Sequence, residues 1–187
     1  VFPWYSQGQP ILWWSPDPRC VLEPDAMIIS ASLRKRLRKQ PFRVTFNQAF
    51  PAVIKACAQP RRTGPDTWIT PEVLRAYTAL HQTGQAVSVE CWKGEYLVGG
   101  LYGLAIGRVF FGESMFSRAT DASKVAMVHL LHQMRLRGFR LLDCQIHSQH
   151  LESLGATRLP RRRFSNLLAQ YCAENTPADW PVESSLP

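Results

Sequence analysis

A carboxylate and a carboxamide two positions apart in an apolar run are the first feature of this sequence that could do chemistry. In Phe139-Arg-Leu-Leu-Asp143-Cys-Gln145-Ile146 the pattern predicts a strand. Asp143 and Gln145 then share one face, and Leu142, Cys144 and Ile146 share the other. Such a polar pair within a sheet is costly unless partnered and hydrogen-bonded. A strand end whose polar face meets water is the alternative, and the pattern leaves both open. Glu113, in Phe110-Phe111-Gly112-Glu113-Ser114-Met115-Phe116, is a second candidate. A lone carboxylate among aromatics is poorly solvated and calls for a nearby cation; a surface Glu at a strand end is the competing reading. His129-x-x-His132 and His147-x-x-His150 each offer two ligands, but the spacing supplies no third, so no metal is assigned. There is no nucleophile elbow and no Walker A loop. Gly99, Gly100, Gly103 and Gly107 are spread along strands instead of gathered before a helix, which excludes a dinucleotide-binding fold.

The elements that must position these residues follow from local signals. A short strand over Ile11–Trp14 precedes turn chemistry at Ser15-Pro16-Asp17-Pro18. A very basic helix is predicted over Ser30–Lys39, a strand over Phe42–Phe46 and a helix over Ala49–Ala58. Gln59–Asp66 is a loop by composition. Thr70-Pro71-Glu72-Val73 starts a helix that Gly84 stops. The centre is a meander over Val87–Trp92, Tyr96–Leu104 and Arg108–Phe111. Asp121 is predicted to cap a helix over Ala122–Arg137 that ends at Gly138. The strand Phe139–Ile146, near the middle of the sheet, and a short helix over His150–Leu154 come next, and residues after Cys172 read as a tail. The result is an α+β fold with a mixed sheet flanked by helices. This order resembles the acyl-CoA N-acyltransferase architecture. The glycine-rich pyrophosphate turn of that architecture is missing before Asp121, so the acyl carrier is expected to be something other than coenzyme A, with no cofactor.

The 187 residues carry 22 Lys and Arg against 14 Asp and Glu, a net charge of +8. With 45% hydrophobic residues the chain is globular, of one good-sized domain or a domain with a small appendage, and too apolar for disorder. No apolar run approaches the length of a membrane span, and the N-terminus does not read as a signal peptide. Five scattered cysteines without a C-x-x-C predict reduced thiols in a cytoplasm. The charge excess favours a polyanionic partner, a merely soluble basic surface being the alternative. Basic clusters at Arg34–Lys39, Arg61-Arg62 and Arg161–Arg163 suit phosphate contacts, and Trp4 and Trp68, each beside loop chemistry, suit base stacking. Trp13 and Trp14 are expected to fill the core.

Several longer stretches carry a family resemblance. Phe2–Arg19 (F-P-W-Y-x4-P-I-L-W-W-S-P-D-P-R), Thr67–Thr70 (T-W-I-T), Leu97–Gly103 (L-V-G-G-L-Y-G), Phe110–Arg118 (F-x-G-E-S-M-F-S-R), Asp143–Gln145 (D-C-Q), and S-L-G-A at Ser153 followed by P-R-R at Pro160 resemble the leucyl/phenylalanyl-tRNA–protein transferases. The match runs to about residue 172. It implies an acyl-CoA N-acyltransferase-like core over 67–172, the remnant of a small N-terminal α/β domain with a basic tRNA-facing helix within 1–66, and a tail over 173–187. Because the chain begins at Val1 with no initiator Met, part of that small domain is expected to be absent.

What the resemblance implies for function is specific. Leu or Phe (also Met) would pass from Leu-tRNA or Phe-tRNA to the α-amino group of proteins beginning with Arg or Lys, marking them for degradation in a bacterial cytoplasm. The terminal adenine would lie between Trp4 and Trp68. The aminoacyl side chain would enter an apolar pocket near Leu101, Phe110, Met115 and Leu142, with Met127 and Leu130 behind. Asp143, Gln145 and Glu113 would be the polar cluster: Asp143 polarises Gln145, Gln145 accepts from the attacking amine, and Glu113 holds the amine or the acceptor's cation. A proton shuttle through the ribose hydroxyl of the tRNA is the rival mechanism. Arg34, Lys35, Arg38, Lys39, Arg61 and Arg62 would carry acceptor-stem phosphates. A non-catalytic RNA-binding module and a coenzyme-A-dependent acyltransferase remain as alternatives, and nothing demands more than a monomer.

Overall fold

The computed structural model describes residues 1–6, 8–60, 67–177 and 179–186. Among the described residues, fifteen elements follow one another: β1 (Phe2–Pro3), β2 (Trp13–Trp14), β3 (Arg19–Leu22), α1 (Ala31–Arg38), β4 (Arg43–Phe46), α2 (Phe50–Cys57), α3 (Pro71–Gln82), β5 (Ala86–Lys93), β6 (Tyr96–Ile106), β7 (Val109–Ser117), α4 (Ala122–Leu136), β8 (Leu141–Gln145), α5 (Gln149–Ser153), β9 (Thr157–Leu159) and α6 (Arg161–Tyr171). β1 and β2 form a small antiparallel ribbon, and seven strands form one mixed sheet in the order β4-β5-β6-β7-β8-β3-β9. The fold is therefore α+β, with a mixed sheet flanked by helices. β3 and β4 belong to the same sheet as the strands after residue 86, so the expected division at residue 66 does not interrupt the sheet.

Local chemistry explains the helix ends. Ser30 and Thr70 accept from the backbone N–H of Leu33 and Val73, and Gly84 and Gly138 take the left-handed conformation that stops α3 and α4. Asp121 sits at the head of α4 but does not cap it. Its φ of 63° turns the carboxylate away, toward Lys124 at 3.1 Å and Arg36 at 3.7 Å. α2 lacks a capping side chain of its own, and Glu90 on β5 supplies one from across the sheet. Its carboxylate, fully buried, accepts from Thr45 Oγ1 (2.6 Å), Ser88 Oγ (2.5 Å) and, at 3.4 Å, the backbone N–H of Gln48 and Ala49. Glu90→Ala strands these donors in the interior, and we expect a loss of about 3 kcal/mol in urea unfolding.

Two features of the sheet create the site. The parallel pairing of β7 with β8 covers only Val109–Phe111 against Leu141–Asp143, beyond which the strands part. Opposite β6, Tyr102 pairs with Ser114 and Gly103 with Gly112, so Glu113 is the extra residue of a β-bulge. β7 thus runs on to Ser117, past the end expected at Phe111, and Glu113 lies within it.

Two further expectations are corrected, for Trp13 and Trp14 and for the C-terminal segment, and the stretch around Arg161, given no element above, gains one. Trp13 and Trp14 are 64% and 45% exposed instead of buried, and it is Phe2, on the other strand of the ribbon, that packs inward. The three arginines beginning at Arg161 open a helix, α6. The segment after Cys172 is docked. Val182 O accepts from Phe46 N, Ser184 N donates to Val44 O, and Trp180 lies against Phe46 with ring centroids 5.5 Å apart.

Candidate active site

The buried polar cluster is built around Arg19, a residue singled out by none of the sequence patterns above. Its guanidinium grips Asp143 with both ends, Nε to Oδ1 at 2.9 Å and Nη2 to Oδ2 at 2.7 Å. Asp143 is fully buried and Arg19 is 2% exposed. The guanidinium also lies over the rings of Phe2 and Phe164, at 4.9 and 5.2 Å. The water-facing alternative for Asp143 is thereby excluded. An Asp in an apolar strand calls for a cation, but both strands beside β8 are preceded or opened by an arginine, Arg108 before β7 and Arg19 in β3, and only the pairing of β3 with β8 selects Arg19.

Asp143 and Gln145 do come together, though not by strand alternation. Against β3, Val21 pairs with Asp143 and Cys20 with Gln145, which leaves Cys144 as an extra residue. Gln145 itself takes φ 64°, and its backbone N–H turns back to Asp143 Oδ1 at 2.9 Å. Its carboxamide Nε2 then donates to Glu113 Oε2 at 3.2 Å, across the gap where β7 and β8 part. Glu113 also accepts from the Tyr77 hydroxyl of α3. Burial pushes the Glu113 carboxyl up to about 7, against the lowering effect of its hydrogen bonds from Tyr77 and Gln145. Its cation, in Arg19, is shared through Asp143 instead of touching it. Tyr77 is raised by burial and by the charge of Glu113. Cys144 is raised by its hydrogen bond with Cys20 and by burial, so it is no thiolate nucleophile at neutral pH.

Beside this cluster lies a cavity of about 290 Å³. Leu101, Phe110, Met115, Met127, Leu130 and Leu142, drawn from three strands and α4, all line it, and Glu113 and Asp143 stand at its polar side. Trp4 is 47% exposed and rests against Trp14, with centroids 5.9 Å apart. Trp68 is half-buried on the α2–α3 core. The Tyr5 hydroxyl meets Thr70 Oγ1 at 3.3 Å, which ties the segment carrying Trp4 to the turn carrying Trp68. Arg34, Lys35, Arg38 and Lys39 are exposed on α1. Arg34 and Arg38 share a cavity of about 690 Å³ with Arg43, His132 and Arg135. Arg61 and Arg62 lie outside the described residues. His129 is a core histidine: it bonds Ser184 Oγ at 2.9 Å, and burial pushes it down to about 4.

A site that sets a guanidinium, two carboxylates and a carboxamide beside an open, largely apolar cavity can hold an apolar group while polar bonds are exchanged next to it, and this is what a transferase of apolar acyl groups requires. Comparison with known proteins narrows the class. The family model described as leucyl/phenylalanyl-tRNA protein transferase matches residues 21–169, and that of its N-terminal domain matches residues 1–17. The chain belongs to the leucyl/phenylalanyl-tRNA protein transferase family. Relatives bearing that name are 56% identical in Stutzerimonas stutzeri, covering 96% of this chain and 79% of theirs, and 55% identical in Aromatoleum aromaticum, covering 99% and 78%. A third, from Ectopseudomonas mendocina, is 57% identical over 96% of this chain. A solved protein of unknown function from Staphylococcus epidermidis overlays 71% of this chain and 65% of its own at a TM-score of 0.39 and 11% identity, too remote to carry an argument. Among the described residues, no helix is long and apolar enough to cross a membrane.

Proposed function

We propose that this chain moves leucine, phenylalanine or methionine from aminoacyl-tRNA to the α-amino group of proteins that begin with Arg or Lys. The observation that carries the reading is the apolar cavity directly beside Glu113 and Asp143. Its about 290 Å³ suits one side chain that is unbranched at Cβ, and the acidic groups among its described lining are Glu113 and Asp143 at its polar edge. The parting of β7 and β8 beside that cavity is also what supports an acyl-CoA N-acyltransferase-like core, in which an acyl group is presented at such a cleft. The donor here is an ester of tRNA. Its terminal adenine stacks between Trp4 and Trp68, at about 1–3 kcal/mol per ring. The exposed cations of α1, Arg34, Lys35, Arg38 and Lys39, run along acceptor-stem phosphates, contacts that carry no sequence information.

The geometry favours one division of labour. Both oxygens of Asp143 are engaged by Arg19, and Oδ1 also by the backbone of Gln145, so Asp143 is a positioning group. Gln145 donates through Nε2 to Glu113, which directs its carbonyl oxygen to the incoming amine. Glu113 takes the proton as the amine nitrogen bonds to the ester carbonyl carbon. The carbon–oxygen bond to the ribose then breaks, and Glu113 returns the proton to that ribose oxygen. The peptide bond forms with no net change in protons on the protein.

The test is direct. The protein is mixed with charged Leu-tRNA or Phe-tRNA and a peptide beginning with Arg, and the peptide mass is followed. A gain of one Leu or Phe residue, absent for a peptide beginning with Asp, is expected. Tight tRNA binding without any mass gain would sink the reading.

A further inference from the structure

The cavity's inner wall rests on a residue far from the cluster in sequence. Phe110 lines the cavity and is fully buried. Its ring is held from two sides. On one side is the backbone of Gly103 on β6, where a Cβ would collide with the Phe110 ring and the Phe111 carbonyl oxygen, so only glycine lets the ring lie there. On the other is Trp180 of the docked C-terminal segment, edge-on to Phe110 with centroids 6.0 Å apart. Trp180 is itself fixed by stacking on Phe46 (5.5 Å, 12°), by a tilted contact with Phe139 (5.4 Å) and by the Arg137 guanidinium 5.7 Å above its ring. The same guanidinium donates to the carbonyl oxygen of Asp179, one residue before, at 2.6 Å. Hydrogen bonds of Val182 and Ser184 to β4 pin the segment beyond it.

We propose that Trp180 is a positioning residue for donor selection: it blocks the retreat of Phe110 and thereby sets the depth of the aminoacyl cavity. Trp180 does not line the cavity; it acts through Phe110. A close-packed wall gives way only where space opens behind it, and Trp180 is the largest side chain behind this one. With a smaller residue at 180, Phe110 can recede, and the cavity deepens at the end away from Glu113 and Asp143. A deeper cavity favours the larger donor side chain, because misfits of about one methylene change selection by 10- to 200-fold. This inference rests on the cavity's being the aminoacyl pocket.

The measurement is kcat/KM for Phe-tRNA and for Leu-tRNA with one Arg-initial peptide. Trp180→Leu is expected to raise the Phe-over-Leu ratio by about tenfold, and Trp180→Phe, which keeps a smaller aromatic ring there, to raise it by only about threefold. In a Phe110→Leu background, Trp180→Leu should move the ratio no further. Should Trp180→Leu fail to fold, a shift of about threefold in the same direction for Trp180→Phe takes its place. Equal losses for both donors, or a shift that persists without Phe110, would overturn the proposal. Met127→Phe separates the two readings, since it narrows the cavity from α4 and must lower Phe transfer more than Leu transfer if the cavity holds the donor side chain. An effect of Met127→Phe with none from position 180 refutes only the role of Trp180; no effect of Met127→Phe refutes the cavity assignment itself.

Discussion

Replacing Arg19 by Met is expected to cost about 3–5 kcal/mol of stability and to abolish transfer. The Asp143 carboxylate has no access to water, and Arg19 supplies two of its three hydrogen bonds. Without the guanidinium the buried charge is uncompensated, and the rings of Phe2 and Phe164 lose the cation between them. Urea unfolding at pH 7 reads the first effect and single-turnover transfer the second. The double variant Arg19→Met/Asp143→Leu separates them. Exchanging a buried ion pair for apolar groups of similar volume is often close to neutral, so stability should largely return. Transfer should not, because the backbone N–H of Gln145 loses the oxygen that holds it in its left-handed turn. A loss of at least about 100-fold at restored stability, some 2.7 kcal/mol of barrier, assigns the pair a positioning role. A double variant both stable and active would reduce the pair to a structural device.

That Arg19 matters this much was legible only in part. An Asp in an apolar strand demands a cation, but its identity depends on β3 lying beside β8, a pairing across 124 positions that no local pattern encodes. The elements with local punctuation are different. Thr70-Pro71 and Gly84 bound α3, Gly138 ends α4, and Lys93-Gly94 turns β5 into β6, so each falls within a residue or two of its expected place. The errors share a physical cause. Gly112-Glu113 looks like the end of a strand because a bulge inserts one residue without breaking the ladder. The strand alternation through Asp143 and Gln145 fails at one φ of 64°, which a Gln rarely adopts and which the bond to Asp143 sustains. The Pro- and Ser-rich composition after Cys172 reads as a tail, yet Trp180 packed among Phe46, Phe110 and Phe139, together with the backbone bonds of Val182 and Ser184 to β4, docks it. The six cavity residues came from family resemblance, not from periodicity; the structure gathers all six around one space, and their role with the donor is what the proposed experiments decide.

The second large effect lies at Glu113, and its signature is a pH profile. A base must be deprotonated to act, and burial has pushed this carboxyl up to about 7. The groups that face it are Tyr77 of α3 and Gln145 of β8, with the Asp143–Arg19 pair behind and Cys144 and His150 also lining the cavity. The acceptor's α-amino group, ordinarily near 7.7–8.0, must also be neutral to attack. Transfer by the unaltered protein should therefore fall steeply with acidity, by about one decade per pH unit between 7 and 8 and by about two below 7. Glu113→Gln should lose at least about 100-fold of the rate at pH 8, within the range that general acid–base catalysis supplies, and should retain only the single-decade slope of the amine. Stability should move the other way. Because the folded carboxyl titrates higher than the unfolded one, its contribution to stability is whole below about 4.5 and is lost as pH rises to about 7. The Gln variant escapes that loss, so its Tm should match the parent's at pH 4 and exceed it at pH 8. A more stable, slower enzyme with a shallower acid limb is the expected combination. An unaltered two-decade limb in Glu113→Gln would leave the proton to the ribose hydroxyl of the tRNA and Glu113 to binding alone.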